Sequence, residues 1–293
     1  GSPVFVVGTR FQAIMADSVR RHLKMRRYEV VNFFQERDES RVPDMALDEL
    51  VRSAERVVSV DRRNSAFSQF SELVRETNGA GRAIFLAAVS NPLLMAVFRV
   101  NPRLKLFTFD EGSYNIDPAG PFHNPRDVSG FSAKSLFYRF VHPRGPINFA
   151  RRVSKRHYTP FREDLNVFHE RCERISVEWM RYADPGEVRQ FAGCRSVLVL
   201  PCLQDLEENR RAEVLRLANS DRFELVIRHP RDASGYGIAS QRLRSPVESL
   251  IDALRRSNSV RVFHFASTVG LTLKSFDCVE IVDLCIECGS FEQ

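Results

Sequence analysis

The residues best placed to do chemistry are Asp110-Glu111-Gly112, which directly follow an apolar run at positions 104–109. A carboxylate at such a position can act as a general base that takes a proton from a sugar hydroxyl. Gly112 lets the backbone turn and a ligand approach closely. The alternative is a solvated turn with a helix-capping carboxylate, and the residues alone leave both interpretations open.

A histidine between two arginines forms the second cluster, Arg228-His229-Pro230-Arg231, after an apolar run at positions 223–227. Pro230 biases His229 toward an extended backbone. A histidine beside a bound phosphate can serve as a general acid. The alternative is a histidine that packs at the end of a strand between two exposed arginines.

Two further pairs, Gly8-Thr9 and Ser267-Thr268, each stand between an apolar run and a predicted helix. Hydroxyl groups and free N–H groups at the start of a helix can hold an anion. An ordinary helix N-cap is the competing interpretation, and for Ser267-Thr268 alone it is the stronger one.

Two blocks of alternating strands and helices must position these clusters. The predicted strands are 4–7, 28–34, 83–89 and 104–109, then 196–200, 223–227, 260–265 and 278–284. The predicted helices are 11–23, 47–57, 65–75 and one starting at 91, then 207–219, 246–257 and 269–276. The stretch 117–150, rich in proline and glycine, is predicted as loop with short elements, and 164–190 as a mostly helical connection.

This alternation is typical of the α/β class, with a parallel sheet in each block. Ligands of such sheets bind beyond the carboxyl ends of the strands, which is where all four clusters lie. We therefore predict two Rossmann-like domains, residues 1–160 and 161–293, that face each other across a cleft. The alternation locates this site without naming a reaction.

Composition excludes several classes of protein. The 293 residues carry 43 Lys and Arg against 37 Asp and Glu, a formal net charge of +6. No apolar run approaches the ~20 residues of a membrane-spanning helix, and no nucleic-acid-binding motif accompanies the basic charge. The pair Cys285 and Cys288 lacks two further ligands at zinc spacing, so we expect no metal. A basic face would suit an anionic substrate or an anionic membrane surface.

Common cofactor and nucleophile motifs are missing as well. The sequence has no GxGxxG, no GxxxxGK[ST], no GxSxG and no DxD, which argues against a dinucleotide site, a P-loop NTPase, a common α/β-hydrolase and a cation-chelating sugar-nucleotide enzyme.

Taken together, five segments in order resemble the bacterial sialyltransferases of glycosyltransferase family 52, which act on lipooligosaccharide. They are Val-Val-Gly-Thr-Arg-Phe-Gln-Ala (6–13), Phe-Asp-Glu-Gly-Ser-Tyr-Asn-Ile (109–116), Arg-His-Tyr-Thr (156–159), Arg-His-Pro-Arg (228–231) and Ser-Thr (267–268). The segment at 109–116 is the most specific, and in it Asp-Glu-Gly stands where the family has Asp-Asp-Gly.

The resemblance implies a GT-B-like fold and a metal-independent, inverting transfer from CMP-sialic acid to a hydroxyl of a bacterial glycolipid or oligosaccharide. Glu111 or Asp110 would be the general base and His229 the general acid. The residues implied at the donor phosphate are Arg228, Pro230, Arg231, Ser267 and Thr268. Those implied to contact donor or acceptor are Gly8, Thr9, Gln12, Gly112 and Asn115.

The resemblance further implies a bacterial cytoplasmic enzyme at the inner face of the membrane. It implies no cofactor beyond the donor and no nucleic-acid partner, and it is compatible with a homodimer. Two alternatives stay open. One is a related glycosyltransferase with another nucleotide-sugar donor, and the other is a non-catalytic module that binds an anionic glycan or a nucleotide.

Overall fold

The computed structural model describes residues 1–33, 45–61, 64–112, 115–118, 120, 122–123, 144–230, 232, 236–265 and 268–284. These residues form two compact α/β units, and the chain passes from the first to the second between Glu178 and Trp179. Within the described residues, no helix combines the length and apolar character needed to cross a membrane.

The first unit is built on one parallel sheet of seven strands in the order β3-β2-β1-β4-β5-β6-β7. The strands are β1 Val4–Val7, β2 Glu29–Asn32, β3 Arg56–Ser59, β4 Ala83–Leu86, β5 Lys105–Phe109, β6 His157–Thr159 and β7 Cys172–Arg174. The helices between them are α1 Arg10–His22, α2 Met45–Val51, α3 Ala66–Thr77, α4 Pro92–Val100 and α5 Pro146–Val153.

Both faces of this sheet are covered, which is why its central strands are apolar at every position rather than at alternate ones. All four residues of β1 are buried. Val4 and Val6 pack into one core with α4 and α5, while Phe5 points to the other face and stacks on Phe85 with ring centroids 4.8 Å apart. Successive side chains of a strand alternate between the faces, so one short apolar run supplies both cores.

The second unit contains a smaller parallel sheet in the order β11-β10-β8-β9. Its strands are β8 Ser196–Val199, β9 Leu225–Ile227, β10 Val260–His264 and β11 Val279–Asp283. Its helices are α6 Pro185–Gln190, α7 Glu208–Ala218, α8 Val247–Leu254 and α9 Thr268–Leu273. Two separate apolar cores again lie on opposite faces of the sheet.

The predicted α/β class is confirmed, and most apolar strands lie where the sequence predicts them. Two predictions about elements were wrong. The predicted helix at 47–57 ends at Val51, and the edge strand β3 begins at Arg56. The predicted helical connection at 164–190 is helical only in part, because β7 and short 3-10 helices precede α6, which begins at Pro185. Since β6 and β7 pair with the first sheet, the first unit extends beyond residue 160, the boundary drawn from the sequence.

Candidate active site

The strand order of the first unit creates a crevice at one edge of its sheet. From β1 the chain winds outward through β2 and β3, and it then crosses back to place β4, β5, β6 and β7 on the other side of β1. Such a reversal opens a crevice beyond the carboxyl ends of the strands, where ligands of open α/β sheets bind. The turn at Gly8 and Thr9 follows β1, and Asp110 and Glu111 follow β5.

Glu111 is held across this crevice by the start of α1. Gln12 donates from Nε2 to Glu111 Oε1 at 3.1 Å and accepts at Oε1 from the Gly8 amide at 2.7 Å. Gln12 is only 2% exposed, whereas Glu111 is half-buried. The strands β1 and β5 lie two strand spacings of about 4.8 Å each apart, with β4 between them. The side chains of Gln12 and Glu111 together bridge that distance. The structure therefore brings together three of the predicted residues. Glu111 is partly exposed as a residue, although its Oε2 atom is buried.

Thr9 and Gly8 shape the start of α1. Thr9 is the N-cap, and its hydroxyl oxygen accepts from the Gln12 amide at 3.2 Å. A Cβ on Gly8 would lie 3.2 Å from the Phe33 carbonyl oxygen. That spacing is tighter than an ordinary contact, so the close approach of the β1 turn to the end of β2 favours glycine.

Asp110, by contrast, is completely buried and belongs to a polar network under the turn. His157 Nε2 lies 2.8 Å from Asp110 Oδ1, and Asn166 Nδ2 donates to the same oxygen at 2.8 Å. The other oxygen, Oδ2, is buried and has no hydrogen-bond partner among the described residues. The structure thus gives Asp110 the contacts of a residue that fixes its surroundings.

The network continues away from the surface through two hydroxyl groups. His157 Nδ1 lies 2.9 Å from Thr108 Oγ1, which lies 2.9 Å from Ser154 Oγ. One consistent proton assignment runs from Ser154 to Thr108, from Thr108 to His157, and from His157 to Asp110. The His157 ring also stacks on Phe168 with centroids 4.5 Å apart. Both ring nitrogens and one ring face of His157 are therefore fixed.

The turn after Glu111 is closed by Gly112 and Asn115. Gly112 has φ of 103°, a conformation that glycine adopts far more readily than other residues. Asn115 is fully buried, and its Oδ1 accepts from the Glu111 amide at 2.8 Å. The sequence suggested both as ligand contacts, and the structure shows that both shape the backbone that presents Glu111.

Cys172, next to His157 in the β6–β7 register, is inert by its surroundings. Burial, and then the nearby negative charges of Asp110 and Glu163, raise the pKa of the Cys172 thiol to about 12. Because the thiolate is the nucleophilic form, this cysteine is a packing residue at neutral pH.

The second unit presents the predicted histidine at the carboxyl end of β9. The Arg228 amide donates to the Gln241 carbonyl at 2.9 Å, His229 is half-buried and Pro230 is exposed. Arg228 Nε is buried without a partner among the described residues. The loop is anchored by Asp232, which donates its amide to the His229 carbonyl at 3.0 Å.

Asp232 is a residue that the sequence did not single out. It is fully buried, and its carboxylate accepts from the Leu203 amide at 3.1 Å, which ties the loop after β9 to the turn after β8. No motif marks it, and only the pairing of β8 with β9 reveals its role. The sequence likewise assigns no role to Asn166 or to His157, although His157 lies within the segment 156–159 that resembles the family.

Part of the predicted donor site lies outside the described residues. This holds for Arg231, for Ser267 and for the side chain of Thr268. The cysteine pair Cys285 and Cys288, considered for a metal, also lies outside the described residues. Among the described residues, no group of three or more His, Cys, Asp or Glu side chains is arranged to hold a metal ion.

Comparison with known proteins gives one family and a fold. A family model described as glycosyltransferase family 52 matches residues 44–287, and no curated protein matches. A solved structure of a putative UDP-N-acetylglucosamine 2-epimerase from Listeria monocytogenes is similar, with a TM-score of 0.54 and 11% identity over 92% of this chain and 75% of the epimerase. This likeness, with two parallel α/β units, confirms the predicted GT-B-like fold class.

Two further solved structures are more distant. One is another UDP-N-acetylglucosamine 2-epimerase, with a TM-score of 0.49 and 14% identity over 96% of this chain and 83% of that one. The other is a Medicago truncatula protein complexed with UDP-glucose, with a TM-score of 0.44 and 8% identity over 96% and 84% of the two chains.

Proposed function

The chain belongs to glycosyltransferase family 52 and is a glycosyltransferase, and from this we propose that it transfers sialic acid from CMP-sialic acid to a hydroxyl of a bacterial surface glycan such as lipooligosaccharide. The observation that carries the proposal is Glu111, a half-buried residue whose carboxylate is fixed by Gln12 at the crevice of the first sheet. A nucleotide sugar and a glycan acceptor are the partners that this family implies.

We assign the general base to Glu111 rather than to Asp110. A base must reach the acceptor hydroxyl, and of the two residues Glu111 is half-buried, whereas Asp110 is completely buried. Its carboxylate would take the hydroxyl proton while the acceptor oxygen forms a bond to the anomeric carbon. Asp110 is assigned to positioning, because His157 and Asn166 hold its buried carboxylate directly beneath the turn.

We assign the general acid to His229. The bond from the anomeric carbon to the phosphate oxygen breaks in the same step, and His229 would give a proton to the departing CMP phosphate. Its place at the carboxyl end of a parallel strand, beside the cationic Arg228, supports this role. A single displacement inverts the anomeric configuration, and neither carboxylate nor imidazole chemistry of this kind requires a metal.

The remaining donor contacts follow from the family resemblance. Arg228, Arg231, Ser267 and Thr268 would bind the donor phosphate, since guanidinium and hydroxyl groups suit a phosphate oxygen. We place the enzyme in the bacterial cytoplasm at the inner face of the membrane, where a glycolipid acceptor is accessible. A homodimer stays a prediction from the same resemblance.

Calorimetry with CMP and with UDP tests the proposal first. We expect CMP to bind and UDP to bind far more weakly. A panel of nucleotide-sugar donors, assayed with a lipooligosaccharide acceptor, then identifies the transferred sugar. Selective binding of UDP would contradict the proposed donor, and CMP binding without turnover over long incubation would indicate a binding module instead of an enzyme.

A further inference from the structure

The outer surface of α5 and the adjoining amino edge of the first sheet are strongly cationic. Arg151 and Arg152 on α5, Arg144 just before the helix and Lys155 just after it are all exposed. Ile147 and Ala150 of the same helix are buried in the core. The helix therefore packs through its apolar side and presents its basic side to solvent.

Three more cations extend this surface from the neighbouring element. Arg99, Arg103 and Lys105 are exposed where α4 leads into β5. The helices α4 and α5 share one core on the same face of the sheet, and the Lys155 amide donates to the Leu106 carbonyl at 2.8 Å, which brings the two basic segments side by side. We call this set the α4–α5 basic surface: Arg99, Arg103, Lys105, Arg144, Arg151, Arg152 and Lys155.

The α4–α5 basic surface lacks the carboxylates that neutralise other arginines of the same unit. No Asp or Glu occurs at positions 99–105 or 144–156, and none of the seven cations makes an ion pair within the described part of the chain. Elsewhere Arg20 pairs with Asp17 at 2.6 Å, and Arg56 with Glu76 at 2.5 Å. A concentration of unpaired cations on one face creates a field that attracts a polyanion.

Apolar groups lie among these cations. Val100, the last residue of α4, is 58% exposed, and the guanidinium of Arg152 lies 5.8 Å from the ring centroid of the half-buried Phe149. Arginine and lysine stems can bury against apolar surface while their charges reach anionic headgroups. A mixed surface of this kind fits the interface of a lipid bilayer better than the evenly polar backbone of a nucleic acid.

We propose that the α4–α5 basic surface docks the enzyme on an anionic phospholipid membrane. The preference for a membrane over other polyanions rests on the proposed function, in which the acceptor is a glycolipid. The surface extends along α5 to the amino ends of β5 and β6, and Glu111 follows the carboxyl end of β5. The five residues of β5 span about 17 Å. A docked enzyme would thus hold its base at a distance from the headgroups that suits the outer sugars of a membrane glycan.

Sedimentation of the full-length protein with lipid vesicles tests this proposal. We expect binding to vesicles that contain phosphatidylglycerol, no binding to phosphatidylcholine alone, and weaker binding at about 150 mM salt than at low salt. Neutralising two cations in Arg151→Gln with Lys155→Gln should weaken binding by ~30-fold. Each cation near an anionic surface contributes a factor of about five to the binding constant, and the two factors multiply. Circular dichroism checks that the variant is folded.

A matched double variant, Arg189→Gln with Arg222→Gln, removes two exposed cations of the second unit and should bind vesicles as the wild type does. Equal losses in the two double variants would overturn the proposal, as would equal binding to charged and uncharged vesicles, or tighter binding to duplex DNA than to anionic vesicles. CMP affinity, measured on the same samples, reports separately on the proposed function.

Discussion

At the residue scale, Asp110 and Glu111 show how neighbours in sequence acquire different tasks. Alternation along β5 turns Asp110 inward, where His157 and Asn166 hold one carboxylate oxygen. Glu111 begins the turn and stays partly exposed, with Gln12 on its Oε1. The sequence offered both carboxylates as the base, and their burial distinguishes them.

Removal of the His157 hydrogen bonds should affect both stability and transfer. In His157→Phe the ring keeps its stacking on Phe168, but Asp110 loses one donor in a buried site. Such a loss costs about 1–3 kcal/mol of unfolding free energy, and the displaced turn should lower kcat. Urea denaturation and transfer assays measure both. Thr108→Val, which removes a more remote bond, serves as the milder control, and an unchanged stability of His157→Phe would refute the positioning role.

Gly112 provides a second test at this scale. Its φ of 103° is costly for any residue with a Cβ, so Gly112→Ala should lose roughly 1–3 kcal/mol of stability and misplace Glu111. Gly193→Ala is the matched control, because a Cβ there would meet open space. Thermal unfolding of both variants measures the difference in stability. Equal unfolding temperatures would contradict the prediction that a Cβ at position 112 strains the backbone.

At the element scale, the close approach of α9 to β10 depends on Gly270. A Cβ at this position would lie 2.2 Å from Nε2 of His264, the last residue of β10. Because His264 is buried, its ring has little room to move. We expect Gly270→Ala to cost about 1–3 kcal/mol, measured by denaturant unfolding. The double variant with His264→Ala should recover part of the loss, and a neutral Gly270→Ala would show that the helix can shift.

The burial of His264 should also make the second unit sensitive to acid. Burial lowers the pKa of His264, against a smaller opposing effect of Asp283. As the pH falls, His264 therefore becomes protonated in the unfolded chain near pH 6.5 while it is still neutral in the folded chain. The free energy of unfolding should fall as the pH drops below that value. Denaturation at pH 7.5 and 5.5 should show a smaller pH effect in His264→Gln than in the wild type. An equal effect in both would assign the acid sensitivity to other groups.

Some elements were predictable from the sequence and others were not, for a physical reason. The strands β1, β4 and β8 are buried on both faces and are therefore continuous apolar runs. The strand β3 lies at the sheet edge and is mostly exposed, and β7 is Cys-Glu-Arg, so neither carries an apolar pattern. Asn166 and Asp232 could not be assigned, because their partners come from distant parts of the chain.

At the scale of the whole molecule, charge and catalysis occupy different regions of the first unit. Its exposed basic surface lies on α4, α5 and the amino edge of the sheet, whereas the predicted base lies at the carboxyl edge. A net charge of +6 gives no hint of this division, because many arginines elsewhere are matched by carboxylates. The parallel sheet imposes it, since all strands present the same end to the same edge.

The central claim is that Glu111 takes the acceptor proton in a transfer from a CMP-sugar. The most direct test is the kcat of Glu111→Gln with CMP-sialic acid and a glycan acceptor, compared with the exposed control Glu170→Gln. We predict a loss of about 10²–10⁴-fold for Glu111→Gln, with unchanged CMP affinity, and full activity for the control. Turnover of Glu111→Gln near that of the wild type would contradict the claim.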